Sequence, residues 1–129
     1  MIDHPHAKLA RSAWEAAAHG DRKTLAKLCS EDLVWHASGR GARSGEYRGI
    51  DAVLEYLAAI GEAAQRFDSR FEDVLVGEGL VAVLFHVTGT RRDRVLDTDF
   101  ILLFRVEGGR LDEVWAVPRD QYAIDEFWA

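Results

Sequence analysis

The sequence predicts an α+β domain in which a cone-shaped, curved antiparallel sheet wraps around three N-terminal helices, and three observations carry that prediction. Apolar residues recur every three or four positions through the first half. Past Phe67 the period becomes two and stays so almost to the end, and the breaks in that second half are short enough for hairpins. Helices followed by a meander of long twisted strands pack as layers, and a sheet curled over helices leaves a conical cavity between them.

Asp3 is placed to cap the first helix, which tolerates Pro5 in its opening turn, and Ala10, Ala13, Trp14, Ala17 and Ala18 form one apolar stripe before Gly20 ends it. Asp21 caps a shorter helix with Leu25, Leu28 and Cys29 on one side, followed by a polar turn at Ser30, Glu31 and Asp32. Residues 33–38 read as a short strand. The stretch 39–49, rich in glycine and arginine, reads as an irregular loop of the kind that carries function. Val53, Tyr56, Leu57 and Ile60 then mark a third amphipathic helix over 50–64. Strands are predicted over 71–76, 80–90, 96–106 and 110–117. Val81, Val83, Phe85 and Val87 share one face with Phe100, Leu102, Phe104 and Val106, whereas His86, Thr88, Asp97, Asp99 and Arg105 occupy the other. Asp120 is placed to cap a last helix over 121–128 that carries Tyr122, Ile124, Phe127 and Trp128.

At 129 residues the chain is the size of one domain, expected to span 1–129 with a core that needs no metal or disulfide. A net charge of -6 with no basic stripe argues against nucleic acid as a partner. The lone Cys29 forms no internal disulfide, fits a buried inert thiol, and suits a reducing cytoplasm. No apolar run reaches the roughly 18 residues that cross a bilayer, and the N-terminus lacks a basic stretch leading into an apolar one, so neither membrane insertion nor export is expected. Five histidines raise the question of a metal, but none pairs at a ligand spacing backed by a third ligand, and no metal is expected. Nucleotide, phosphate-loop, nucleophile-elbow and Cys-x-x-Cys motifs are absent from the sequence, so no cofactor is expected either.

Three segments carry a family resemblance. Trp35-His36-Ala37-Ser38-Gly39, the run from Arg43 to Gly49 ahead of Ala52-Val53, and Gly109 to Trp115 leading into the last strand resemble the SnoaL-like and ketosteroid-isomerase-like branches of the nuclear transport factor 2-like superfamily. The resemblance follows the element order over nearly the whole chain and implies the cystatin-like α+β cone. In the isomerase branch a catalytic carboxylate ends the first strand, seven residues before an Arg-Ser-Gly. Seven residues before Arg43 stands His36, so the resemblance implies an imidazole at the general-base position, and histidine exchanges protons near neutral pH without large tuning. The branch's enolate-stabilising donors are matched by Ala13 or Trp14 and by Leu102, and a supporting tyrosine by Leu57; none of these holds an oxyanion as the relatives do, which speaks against steroid isomerisation. The Asp-Arg-Asp of the epoxide-hydrolase branch has only Arg91-Arg92-Asp93, in a turn, as a counterpart.

The remaining candidates each have a plainer structural role beside the functional one. His86 belongs to the outer face as an interface histidine unless a bulge turns it inward beside His36. Asp120 either acts as an acid or orients a water, or simply caps the last helix. Arg40, Arg43 and Arg48 are placed to attract an anionic substrate or are solvated. Trp14, Tyr56, Phe71, Phe85, Phe100 and Phe104, with Leu102 and Val114, line a pocket for a cyclic or aromatic molecule or fill the core. The leading functional expectation is a cofactor-independent isomerase, cyclase or lyase acting through His36 on a small apolar ring compound, with Asp120 as a second catalytic candidate. The alternatives are a non-catalytic ligand-binding or dimerisation domain and a water-activating hydrolase. Trp115, Ile101 and Leu103 on the open sheet face predict a homodimer.

Overall fold

A computed structural model describes residues 4–129. The order is α1 (Pro5–Ala18), α2 (Arg22–Leu28), β1 (Cys29–Ala37), β2 (Gly45–Arg48), α3 (Ile50–Ala63), β3 (Arg66–Val76), β4 (Leu80–Arg91), β5 (Arg94–Glu107), β6 (Arg110–Pro118) and α4 (Gln121–Trp128). The six strands form one curved, open sheet in the order β2-β1-β6-β5-β4-β3.

β3 through β6 are antiparallel neighbours, as their short turns require. The sheet is not antiparallel throughout, because β1 lies parallel to β6, brought there by the helical and hairpin segments between them. Two further departures concern the first strand. The expected turn at Ser30, Glu31 and Asp32 is extended backbone, and β1 already begins at Cys29, with an irregularity between Cys29 and Val34 in its register with β6. The stretch 39–49 is not wholly irregular either: Gly45–Arg48 forms β2 and pairs with 34–37, placing Tyr47 opposite Trp35.

Small residues set how close α1 comes to the sheet. Ala7, Ala10, Ala13 and Ala16 are all buried, so the helix backbone lies near β3 and β4, and Trp14 reaches past them to Phe85 and Phe71 at 5.6 and 5.9 Å. The expected cap at Asp3 lies outside the described residues; the helix is capped at His4, whose Nδ1 accepts from His6 N at 3.0 Å. Asp21 and Asp120 cap α2 and α4 as their positions predict, accepting from Thr24 N and Ala123 N. Cys29 is buried, and desolvation pushes its thiol up to about 11, which leaves it protonated and unreactive near neutral pH.

α4 closes one end of the cone. Phe127 and Trp128 are buried, and Trp128 rests against Phe67 at 5.9 Å. Burial of a ring such as Phe127 contributes about 1.5–3 kcal/mol relative to an exposed one. Arg91 holds the end of the helix by donating to the carbonyls of Phe127 and Ala129 at 3.3 and 3.0 Å. No helix among the described residues is long and apolar enough to cross a membrane.

Candidate functional site: the cavity between helices and sheet

Strand alternation decides which side chains meet inside the cone. Leu33, Trp35 and Ala37 of β1 point toward the helices, as do Phe85 and Val87 of β4 and Phe100 and Leu102 of β5. Trp14, Ala17 and Ala18 of α1, Leu54, Leu57 and Ile60 of α3, and Ile124 and Trp128 of α4 close over them around a cavity of ≈ 390 Å³. Five of the residues expected to line a pocket therefore do so: Trp14, Tyr56, Phe85, Phe100 and Leu102.

The polar groups of the cavity come from α3, β3, α4 and the loop after β1. Tyr56 stacks on Tyr47 at 4.1 Å and tilts against Trp35 at 6.3 Å, and burial holds its phenol protonated well above the usual tyrosine range. No group among the described residues hydrogen-bonds its hydroxyl. Trp35 is buried too, and its indole N–H has no hydrogen-bond partner among the described residues.

The loop is pinned from within. Ser44 Oγ donates to Ser38 O at 2.9 Å and accepts from Gly41 N at 3.0 Å, while Tyr47 OH donates to Arg43 O at 3.0 Å. It also packs directly on α4. Ser38 Oγ donates to Gln121 Oε1 at 2.7 Å, and Gln121 Nε2 donates to Asp125 Oδ1 at 3.0 Å. Gly39 makes this approach possible, since a Cβ there would stand 2.2 Å from Gln121 Nε2 and 2.6 Å from Asp125 Oδ1. Asp125 and Arg43 are the only fixed charges among the described lining residues.

The expected catalytic pair lies elsewhere. His36 sits between two inward residues of β1 and therefore projects from the opposite face of the sheet. There its Nε2 meets Glu113 Oε2 at 2.5 Å, its Nδ1 lies 3.4 Å from Glu46 Oε1, and its ring stacks on Trp115 at 5.4 Å. Asp120 does not line the cavity; its carboxylate is occupied as the α4 cap.

His86 stays outward, because β4 and β5 pair without a bulge from Leu80 to Arg91. Asp99 and Asp97 grip its two ring nitrogens at 2.7 and 2.5 Å, and these hydrogen bonds, Asp99's foremost, raise its pKa. The bulge falls instead on β3 around Glu72, which joins His86 and Asp99 in a group whose ligand atoms lie within 4.8 Å of one another. Such a group has the donors for a divalent cation, but both ring nitrogens of its imidazole are already taken up by Asp99 and Asp97.

Three of the expected lining residues are also displaced from the cavity. Phe71 belongs to a shallower hollow beside α1, under the Arg11 guanidinium at 4.0 Å. Phe104 and Val114 are packed into the solid core, 3% and 0% exposed. Arg91, Arg92 and Asp93 stand at the β4–β5 turn and none lines the cavity. Conversely, Trp35, Phe67, Trp128 and Asp125 line it without having been singled out for that role. For Trp128 and Asp125 the signal was the last helix itself, whose apolar side carries Ile124 and Trp128 four residues apart.

With this geometry in place, comparison with known proteins settles the lineage. The SnoaL-like domain family matches residues 10–114. The chain belongs to the SnoaL-like family. Among curated relatives, the uncharacterized protein Rv0034 of Mycobacterium tuberculosis (strain H37Rv) is 31% identical over 134 residues, covering 100% of both chains. Among solved structures, Bal32a from a soil-derived mobile gene cassette superimposes with a TM-score of 0.87 at 28% identity, over 97% of each chain. A protein of unknown function with a cystatin-like fold from Xanthomonas campestris gives 0.82 at 31% identity, over 95% of this chain and 96% of that one. For this SnoaL-like protein the expected α+β cone is thus the observed fold, with one parallel strand pair added.

Proposed function

We propose that this SnoaL-like protein binds a small, apolar, ring-containing molecule in the cavity between α1, α3, α4 and the sheet. The observation that carries the reading is the lining itself. A hollow of ≈ 390 Å³ is faced by the rings of Trp14, Trp35, Phe67, Phe85, Phe100 and Trp128, with its polar groups supplied by a few side chains. Ligand sites are typically of this size and are apolar with a small number of orienting polar groups. Mass spectrometry of the protein purified under native conditions tests it. A co-purifying ring compound, displaced in Leu57→Trp, which fills the cavity, and retained in Trp115→Ala on the opposite face, is the expected result. A cavity that takes up no ring compound from a panel at millimolar concentration ends the proposal.

A second reading, proton transfer on the bound molecule, is favoured by Asp125. It is the carboxylate of the described lining, and Gln121 Nε2 holds one of its oxygens, leaving the other without a hydrogen bond among the described residues. Turnover of the co-purified compound should then fall at least tenfold in Asp125→Asn and stay unchanged in His36→Gln. We further propose that two chains pair through the outer sheet face, where Ile101 lies opposite Val117 and Leu103 opposite Trp115. Ile101 and Val117 are 38% and 44% exposed in the single chain, and contiguous apolar surface of this kind favours association.

A further inference from the structure

The charge arrangement at the α4 end of the cavity points to a particular kind of ligand. Most guanidinium groups of this chain are engaged: Arg22 with Asp51, Arg105 with Asp112, Arg119 with Asp99, Arg48 with Glu46. Arg43 has no hydrogen bond or ion pair from its guanidinium among the described residues. Arg40, Arg70 and Arg92 also lack one, but they are exposed, whereas Arg43 is half-buried and lines the cavity. Its guanidinium lies over the Trp128 ring at 5.3 Å.

A second cation shares that ring. The Arg91 guanidinium lies 5.9 Å from Trp128 and donates to the carbonyls that end α4. The only carboxylate of the described lining, Asp125, is turned to Gln121 and forms no ion pair with Arg43. Two like charges therefore approach one buried aromatic ring, and no side-chain carboxylate among the described residues pairs with either guanidinium, in a chain whose net charge is -6. Tyr56 lines the same cavity and feels the Arg43 charge, its hydroxyl has no acceptor among the described residues, and the backbone carrying Arg43 is fixed by Tyr47 and Ser44. A planar guanidinium in the same cavity as a free phenol hydroxyl is suited to an oxygen pair.

We propose that the ligand carries an anionic oxygen group, a carboxylate or the enolate of an acidic ring hydroxyl, which pairs with the Arg43 guanidinium beside the Trp128 ring. This deepens the ligand-binding reading of the cavity and rests on it. The ring system occupies the apolar part of the hollow, and the Tyr56 hydroxyl donates a second hydrogen bond to the same group. The protein then selects acidic ring compounds over neutral ones of equal size.

Titration calorimetry with 2-naphthoate and its neutral isostere 2-naphthamide tests this on the intact chain. The expected result is at least tenfold tighter binding of the carboxylate, weakening with added salt. In Arg43→Gln that preference disappears while naphthamide affinity stays within about twofold, and Arg43→Lys restores part of it. Arg40→Gln, an exposed change in the same loop, leaves the preference intact. Equal affinity for the two probes, or a preference that survives Arg43→Gln, overturns the proposal. If naphthamide binds and is lost in Leu57→Trp, the cavity reading stands on its own. Binding of neither probe overturns the proposal, and uptake from the ring-compound panel then decides the cavity reading separately.

Discussion

Replacing Gly39 by alanine probes the contact on which the polar end of the cavity depends. Gly39 has φ +96, in the left-handed region that L side chains rarely adopt, and an alanine Cβ there meets Gln121 Nε2 at 2.2 Å, Asp125 Oδ1 at 2.6 Å and Gln121 Cδ at 2.9 Å. Backbone strain at such a position costs about 1–2 kcal/mol. The contacted atoms end flexible side chains, so they can swing away, but only by breaking the hydrogen bonds from Ser38 to Gln121 and from Gln121 to Asp125. Each contributes roughly 0.5–1.5 kcal/mol, and half-exposure places both near the lower end. The sum is about 2–3 kcal/mol.

Gly20→Ala supplies the comparison, since Gly20 also has positive φ, +66, with nothing within 4 Å of the added carbon. It should cost about 1 kcal/mol, from backbone strain alone. Urea denaturation of both variants against wild type gives the two values. Hydrogen exchange should also show α4 loosened in Gly39→Ala and unchanged in Gly20→Ala. Equal losses in the two variants, with α4 equally protected, would refute the claim that the loop and α4 are held together through Gly39.

Other predictions follow from the outer face and the core. His86 has its pKa raised above the usual 6.5, by Asp99 and then Asp97, so its imidazolium is favoured in the fold. Its stabilising contribution is full below pH 6.5 and is lost as pH rises through the folded pKa, and NMR titration should give a midpoint above 6.5 that falls in Asp99→Asn and in Asp97→Asn. Phe127→Ala, at a ring 2% exposed, should cost about 3–5 kcal/mol by chemical denaturation, and a loss under 1 kcal/mol would show that α4 is not part of the core. Ile101→Arg should convert dimers to monomers in sedimentation velocity at micromolar concentration, without lowering the monomer's stability by more than about 0.5 kcal/mol; a wild-type chain that is already monomeric contradicts the pairing.

What the sequence made legible were the elements whose local signals agree with the final packing. α4 runs over the residues that Asp120 and the apolar spacing indicate, and β4 has the inward set Val81, Val83, Phe85 and Val87 that its alternation requires. The missed features depend on distant partners. Ser30, Glu31 and Asp32 have the composition of a turn, yet they are extended because β1 is drawn along β6, some eighty residues away in the chain. β2 has four residues, one of them glycine and only one apolar, and exists because β1 offers it an edge. No local window contains that information.

His36, expected to face the cavity, does not, for a different reason, one that the sequence did contain. Counting residues back from a loop motif locates a position along the chain, but a strand sends neighbouring side chains to opposite faces, so an error of one residue moves a group from the cavity to the outside. The decisive cue is the alternation Leu33, Trp35, Ala37 against Val34 and His36, in which the first set claims the interior and His36 is left to the acidic partners Glu46 and Glu113. Once β1 supplies only apolar groups inward, any orienting or proton-active group must come from elements that reach over the cavity from its side. The structure has such groups at Tyr56 on α3, Arg43 in the loop and Asp125 on α4. Of these, Arg43 and Asp125 stand on segments that contact each other through Gly39, so the charge presented to a ligand is coupled to how α4 docks. A substitution that loosens α4 should therefore weaken binding of an acidic ring compound more than binding of its neutral isostere.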